Sequence, residues 1–382
     1  MVKDFNTGME KKGSVDNSAT TVGTGTPTQP AEGSALTVSN AKEYLKSAFY
    51  HDVEQYSARR KVLSGFPSLD AQTGPGLYPG LYVLGAGSSM GKTTFSLQMA
   101  DQIAQAGDHV VYFTVEQSRF ELVSKSLART MYMMECPSPL TALEIRELGK
   151  DVSKIEDADA EYSSYCERIT IVECGFNTTV EDIISYIEWY IRTYKHIPVV
   201  YVDYLQRIKS SDRANSTKKE SMDMIMEKLK GLQLRHKLVM IVISSINRSN
   251  YMSEIDFASL KESGDIEYGA DVVWGLQFRV LSEEEDFSTG GPAKINKKRK
   301  ILREAKLEDP RRIDLICLKN RSAVPVYTCS FEYYAAFDCF KDVIKGVDKY
   351  HLGKLEEIKT KREGGKIYTN EDIYLQMELS FQ

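Results

Sequence analysis

The sequence predicts an α/β chain built on a mostly parallel, twisted sheet with helices on its faces. Three observations point there. A glycine-rich loop, "GAGSSMGKTTF" (85–95), sits between a strand-like apolar run and a helix-like segment. Several later runs are continuously apolar and rich in β-branched residues, as parallel strands buried on both faces must be. Helix-like segments separate the earlier of these runs, the alternation that winds helices onto a parallel sheet.

In chain order, residues 1–36 are rich in Ser, Thr, Gly, Pro and Gln and are expected to form a disordered tail, because such a composition cannot bury a core. "TVSNAKEYLKSAFYHDVEQYSARR" (37–60) reads as a linker helix that Ser39 or Asn40 could cap. "SGFPSLDAQTGPGLYPG" (64–80) is turn-rich and leads into a first core strand, "GLYVLG" (80–85). The next segment, 93–107, repeats apolar residues at Phe95, Met99 and Ile103, and Gly107 stops it as a helix. Further strands are expected at 109–116, 168–173, 198–205, 238–246, 271–278, 313–319 and 325–332. One large domain over 61–340 and a C-terminal extension over 341–382 complete the organisation.

The loop has the residues of a phosphate grip. Successive backbone N–H groups over Ala86, Gly87, Ser88, Ser89, Met90 and Gly91 can turn inward onto phosphate oxygens, and the following helix adds its N-terminal dipole. Lys92 would reach the β- and γ-phosphates of a nucleotide, Thr93 would place its hydroxyl on Mg²⁺, and Thr94 continues the grip. The strict pattern opens with Gly where this chain has Ala86. A glycine-rich turn that binds nothing is the plain alternative, and the strand, the Lys-Thr pair and the helix in sequence argue against it.

A nucleotide hydrolase also needs a carboxylate for the metal and a group that activates water. "PVVYVDYLQ" puts Asp203 at the end of an apolar strand, the usual place for the first; a simple turn residue is the alternative. "VVYFTVEQS" ends another strand at Glu116, which by position fits either a base beside the γ-phosphate or an exposed residue opening a helix.

"GSSMGKTTF", "FTVEQS", "VDYLQ", "SSINRSN", "LKESGDIEYGADVV" and "LKNRSAVP" follow in that order. As an ordered set over about residues 60 to 340, they resemble the RecA-like motor domain of the DnaB family of replicative helicases. The resemblance implies a RecA-like P-loop core and a ring, usually hexameric, that uses ATP and Mg²⁺ to move on single-stranded DNA. Other replication proteins are possible partners. By the match, Glu116 is the catalytic base and Asp203 the metal-anchoring carboxylate. Gln206 helps relay the nucleotide state, and Lys319 with Arg321 reaches a neighbour's γ-phosphate. Lys261, Glu262 and the backbone at Gly264 hold the DNA strand.

The chain departs from the family at two places. Ser245 stands where the family has a Gln that senses the γ-phosphate, and a serine has a much shorter reach. The family's globular N-terminal domain has no counterpart ahead of the 37–60 helix, which could dock on a neighbouring subunit as the family's linker helix does, or pack on its own domain.

Composition narrows the classes. A net charge of −5 confines nucleic-acid contact to local patches. Two such patches are the polar, basic stretch 207–220 and "KINKKRKILREAK" (294–306), which reads either as a solvated helix or excursion or as a contact for nucleic acid or a partner. The six cysteines form no C-x-x-C pair and read as reduced residues of a cytoplasmic protein; no apolar run reaches membrane-spanning length and no secretory signal opens the chain. The competing expectation is a RecA-type, DNA-stimulated ATPase that mediates recombination, or a regulatory or defence assembly protein, without unwinding.

Overall fold

The computed structural model describes residues 40–74, 76–211, 217–247, 250–260, 263–283 and 292–343. The chain divides into two compact units, Met1–Ala58 and Arg59–Gln382. In the first, the expected linker helix is two helices, α1 (Ala41–Ser47) and α2 (Phe49–Ser57), broken at Ala48, whose backbone at φ −128° is not helical. Asn40 caps α1: its side chain accepts the Glu43 amide at 3.0 Å, and the Glu43 carboxylate accepts the Asn40 amide in return.

In the second unit, the described residues form a nine-stranded sheet flanked by helices. It opens with a short helix, α3 (Pro67–Thr73), inside the stretch read as turns. Pro67 is suited to a first helical position, and Asp70 ties the entry by accepting the Ser64 amide at 2.7 Å and the Gly65 amide at 3.2 Å. Then come β1 (Gly80–Ala86), α4 (Lys92–Gln105), β2 (Val110–Thr114), α5 (Arg119–Met133), α6 (Ala142–Arg146), α7 (Glu156–Ser163), β3 (Ile169–Glu173), α8 (Val180–Tyr194) and β4 (Val199–Asp203). The chain continues through α9 (Lys218–His236), β5 (Val239–Ser245), α10 (Ser263–Gly269), β6 (Val272–Phe278), α11 (Val280–Glu283), α12 (Pro292–Leu307), β7 (Arg311–Asn320), β8 (Tyr327–Tyr334) and β9 (Cys339–Val343).

Strand order is β3-β2-β4-β5-β1-β6-β7-β8-β9. The first six strands are parallel, and β7, β8 and β9 extend the sheet antiparallel. Every expected strand is present. β9 is additional; it crosses residue 340, where the sequence pattern closed the large domain, and pairs with β8.

Side-chain alternation divides the core. Tyr82 and Leu84 of β1 face one apolar cluster with α4 and α5, while Leu81 and Val83 face the other with α8 and α9. Phe95, Met99 and Ile103 of α4 are fully buried, as their spacing implies. The antiparallel extension is held to the parallel core through Phe95, which stacks on Phe66 at 4.8 Å and meets Phe331 of β8 and Phe340 of β9 edge-on, both at 5.2 Å. The register also prepares the site: Thr114 lies beside Asp203, and Ala86 beside Ser245, at the carboxyl ends of their strands.

Candidate active site

A cleft of about 760 Å³ opens at those carboxyl ends, where an α/β sheet commonly binds its ligand. Its floor is the loop between β1 and α4. Ser89 at φ 63° and Gly91 at φ 81° bend the backbone into the left-handed region, the conformation that turns successive amides into a concave anion nest. Gly91 is required twice over, because a Cβ there would also lie 2.9 Å from the Phe340 ring. Lys92 places its ammonium 3.2 Å from the Ala86 carbonyl, across the mouth of the nest.

Of the residues expected to grip phosphate, Gly87, Ser88, Ser89, Gly91, Lys92, Thr93 and Thr94 line the cleft. The side chains of Ala86 and Met90 turn into the apolar core. The Thr94 hydroxyl is committed to Asp338, donating at 2.8 Å.

Asp203 and Glu116 both reach the cleft, from the ends of β4 and of the strand beside it. Asp203 is almost fully buried. Burial raises its pKa, while hydrogen bonds from the Thr93 and Tyr112 hydroxyls and the Lys92 charge favour the carboxylate, and the Glu116 charge opposes it. Tyr112 donates to Asp203 Oδ2 at 3.1 Å and shares a 2.9 Å bond with the Ser96 hydroxyl. Glu116 is exposed and stands beside Tyr204, whose own pKa is raised by burial and by the Glu116 carboxylate that accepts its hydroxyl.

Gln206 does not line the cleft. Its carboxamide joins the ends of two strands, donating to the Ser244 hydroxyl at 2.7 Å and accepting the Ser245 amide at 3.2 Å. Ser245 does line the cleft.

Lys319 and Arg321 are far from this site along the sheet. Because β7 runs against β6, its last residue Asn320 pairs with Val272, at the opposite end of the sheet from Ala86. Lys319 donates to the Glu267 carbonyl, and Arg321 donates to the Tyr268 carbonyl at 3.3 Å and stands 3.6 Å from Asp271. About half of the Arg321 side chain is exposed. Lys261 and Glu262 lie outside the described residues; Gly264 lies within α10.

Several cleft residues carried no signal in the sequence. Asp338, in the left-handed turn between β8 and β9, accepts Lys125 at 2.7 Å as well as Thr94, so the antiparallel extension forms one wall. Arg311, at the start of β7, faces the Tyr333 ring at 5.7 Å and adds a cation, as does Arg146 of α6. These residues come from segments of no recognisable spacing, and pairing of β7, β8 and β9 is what gathers Arg311, Tyr333 and Asp338.

The family model described as the DnaB-like helicase C terminal domain matches residues 61–342. The chain belongs to this family. It is 24% identical over 270 residues to the replicative DNA helicase DnaB of Helicobacter pylori strain J99, a match covering 66% of this chain and 50% of that protein. Its identity to DnaB of Geobacillus stearothermophilus is 26% over 249 residues, covering 61% and 51% of the two chains. The chain thus spans about half the length of the curated relatives it matches. Among solved structures, a DnaB-like replicative helicase described with its interactions with primase superposes with a TM-score of 0.62 at 22% identity, covering 81% of this chain and 68% of the other. A second solved structure, an isolated ATPase domain, superposes with a TM-score of 0.61 at 22% identity, covering 81% of this chain and all of that one. Both share the α/β fold seen here. No helix among the described residues is long and apolar enough to cross a membrane.

Proposed function

We propose that this DnaB-family chain is an ATP-hydrolysing motor that assembles into a ring, usually of six copies, and moves along single-stranded DNA. The observation that carries the reading is the division of charged residues between two ends of one sheet. Lys92, Thr93, Asp203 and Glu116 converge in the cleft, while Lys319 and Arg321 stand at the opposite end, out of reach of it. A pair of cations held outside the cleft of their own chain fits copies arranged head to tail, where it would meet the cleft of a neighbour.

ATP fits the cleft by its amide nest and the Lys92 ammonium. Mg²⁺ fits the paired hydroxyl of Thr93 and carboxylate of Asp203, two hard oxygen donors in hydrogen-bond contact. Among the described residues there is no cluster of three metal-ligating side chains, as suits an ion held largely by phosphate and water. When bound, the ion supplies neutralisation of charge developing on the transferred phosphoryl group. Lys92 binds the β- and γ-phosphate oxygens. Glu116 accepts the proton of the attacking water, and the Tyr204 hydroxyl holds that carboxylate in place. Arg321, with Lys319, delivers positive charge to the γ-phosphate of a neighbouring copy. Gln206 links Asp203's strand to Ser245, joining the cleft to the loops that follow β4 and β5. By the family resemblance, Lys261, Glu262 and the backbone at Gly264 hold the DNA strand without reading sequence.

The test is strand displacement from a forked duplex with ATP and Mg²⁺. Displacement by the native chain and none by Lys92→Ala is the expected result. ATPase stimulated by single strands without displacement would replace this reading with that of a RecA-type ATPase that does not unwind. No nucleotide turnover at all would remove the motor.

A further inference from the structure

We infer that the exposed face of α12 is a docking surface for the phosphate backbone of double-stranded DNA, separate from the single-strand path of the motor. α12 is amphipathic in an unusual way. Leu302 and Ala305 bury one side in the main core, and Lys298 lies half-buried beside them. The solvent side carries Arg299, Lys300, Arg303 and Lys306, all exposed, and at 3.6 residues per turn these four fall within one arc of roughly 120°. Arg299 and Arg303 are one helical turn apart, about 6 Å along the axis.

Charge balance marks this face as built for a polyanion. Between Asn296 and Leu307 the helix holds six cations and one acid, Glu304. Glu304 stands 3.8 Å from Lys300, and both are well exposed. Among the described residues, Lys297, Arg299, Arg303 and Lys306 have no carboxylate at ion-pair distance, while the nearby Glu308 is engaged by Arg312. In a chain of net charge −5, this concentration of positive charge on one anchored helix is local and directional.

The chemistry of the face suits a duplex, which is held by charge alone, better than a single strand whose bases are free to stack. Proteins that hold single strands add aromatic platforms on which bases stack. Residues 292–307 contain no Phe, Tyr or Trp, so this surface offers charge without stacking. A rigid row of cations suits a partner whose bases are already stacked inward and whose phosphates are held at regular intervals. Its place in the fold is compatible with a motor. α12 runs into β7, whose first residue Arg311 lines the cleft, so its C-terminal end meets the sheet at the same end as the nucleotide cleft.

The inference goes beyond the motor reading and needs no ATP turnover. The experiment is anisotropy titration of the full chain, without nucleotide, against a short blunt duplex and a single strand of equal length, over a series of salt concentrations. Neutralising Arg299, Arg303 and Lys306 together to Gln is expected to lower the slope of log affinity on log salt for the duplex by about 2 to 3, at ~0.9 per phosphate no longer neutralised. The charge-conserving set Arg299→Lys, Arg303→Lys and Lys306→Arg is expected to keep the native slope. Should the triple Gln variant unfold, Arg303→Gln alone is expected to lower the slope by about 0.9. An unchanged duplex slope in a folded variant overturns the inference, and so does a weakening confined to the single strand. A chain that binds duplex through α12 yet unwinds nothing would sink the motor reading and leave this one standing.

Discussion

Gln206 accepts the main-chain amide of Ser245 at 3.2 Å, tying the segment after β4 to the last residue of β5. The same carboxamide donates to Ser244 at 2.7 Å, so a single side chain bridges the two strand ends. Ser245 is paired in register with Ala86, at the entrance of the phosphate loop. Its hydroxyl is too short to span the cleft, which makes it the place to lengthen. Ser245→Gln is expected to raise stimulation of ATPase by single-stranded DNA by about tenfold or more, the factor set by one added hydrogen bond to a charged group at the low end of its range, ~1.5 kcal/mol. Steady-state turnover with and without DNA measures it, and an unchanged ratio would assign γ-phosphate sensing to another side chain.

Glu116→Gln keeps the shape of the side chain and removes the proposed base. Nucleotide affinity should be retained while turnover falls by about 10² to 10⁴. Equilibrium binding of a fluorescent ATP analogue, set beside single-turnover hydrolysis, separates the two. Turnover near that of the native chain would place the base elsewhere.

The separation of Arg321 from its own cleft invites complementation. In the proposed arrangement, Lys92→Ala lacks a working cleft and keeps its finger; Arg321→Ala is the reverse. Each alone should lose about 10³-fold or more in ATPase. In mixed assemblies, clefts of Arg321→Ala copies that adjoin Lys92→Ala copies should recover activity. If subunit exchange is verified and nothing returns, the cation does not act between copies.

Glu181 and Lys228 clasp α8 to α9, their side chains 2.5 Å apart and about a third exposed. Burial alone would raise the Glu181 pKa, but the Lys228 ammonium and the amides of Glu181 and Ser211 outweigh it and bring it from 4.5 to about 2. The carboxylate is thus held more tightly in the folded state. Its contribution is complete above pH 4.5 and is lost as pH falls through the window towards 2. Allowing for solvent screening at so exposed a pair, it amounts to about 1 kcal/mol. Denaturant melts across that window should show Glu181→Gln with a flatter acid limb than the native chain. Parallel limbs would mean that the pair contributes nothing.

Much of the parallel core and of the turn between β1 and α4 was legible in the sequence, because both rest on local rules. A strand buried on both faces must be apolar along its length, as over residues 199–202, and a nest of amides needs small residues and a Lys-Thr pair at the start of a helix, as over residues 87–93. The positions of Asp203 and Glu116 followed from strand ends and from the ordered motifs. Tertiary structure decided what depends on pairing between distant segments. Nothing local marks Asp338 as a cleft residue; it becomes one because β9 folds back on β8 and carries the turn against α4 and α5. Nor does spacing reveal that Lys319 and Arg321 face away from their own phosphate loop, since that follows from β7 running antiparallel to β6. The basic run before β7 was visible as composition, but only burial of Leu302 and Ala305 on one side gives its cations a common outward face. Local composition determines which segments become strands, helices and grips; the order and direction in which strands pair determine which charges meet.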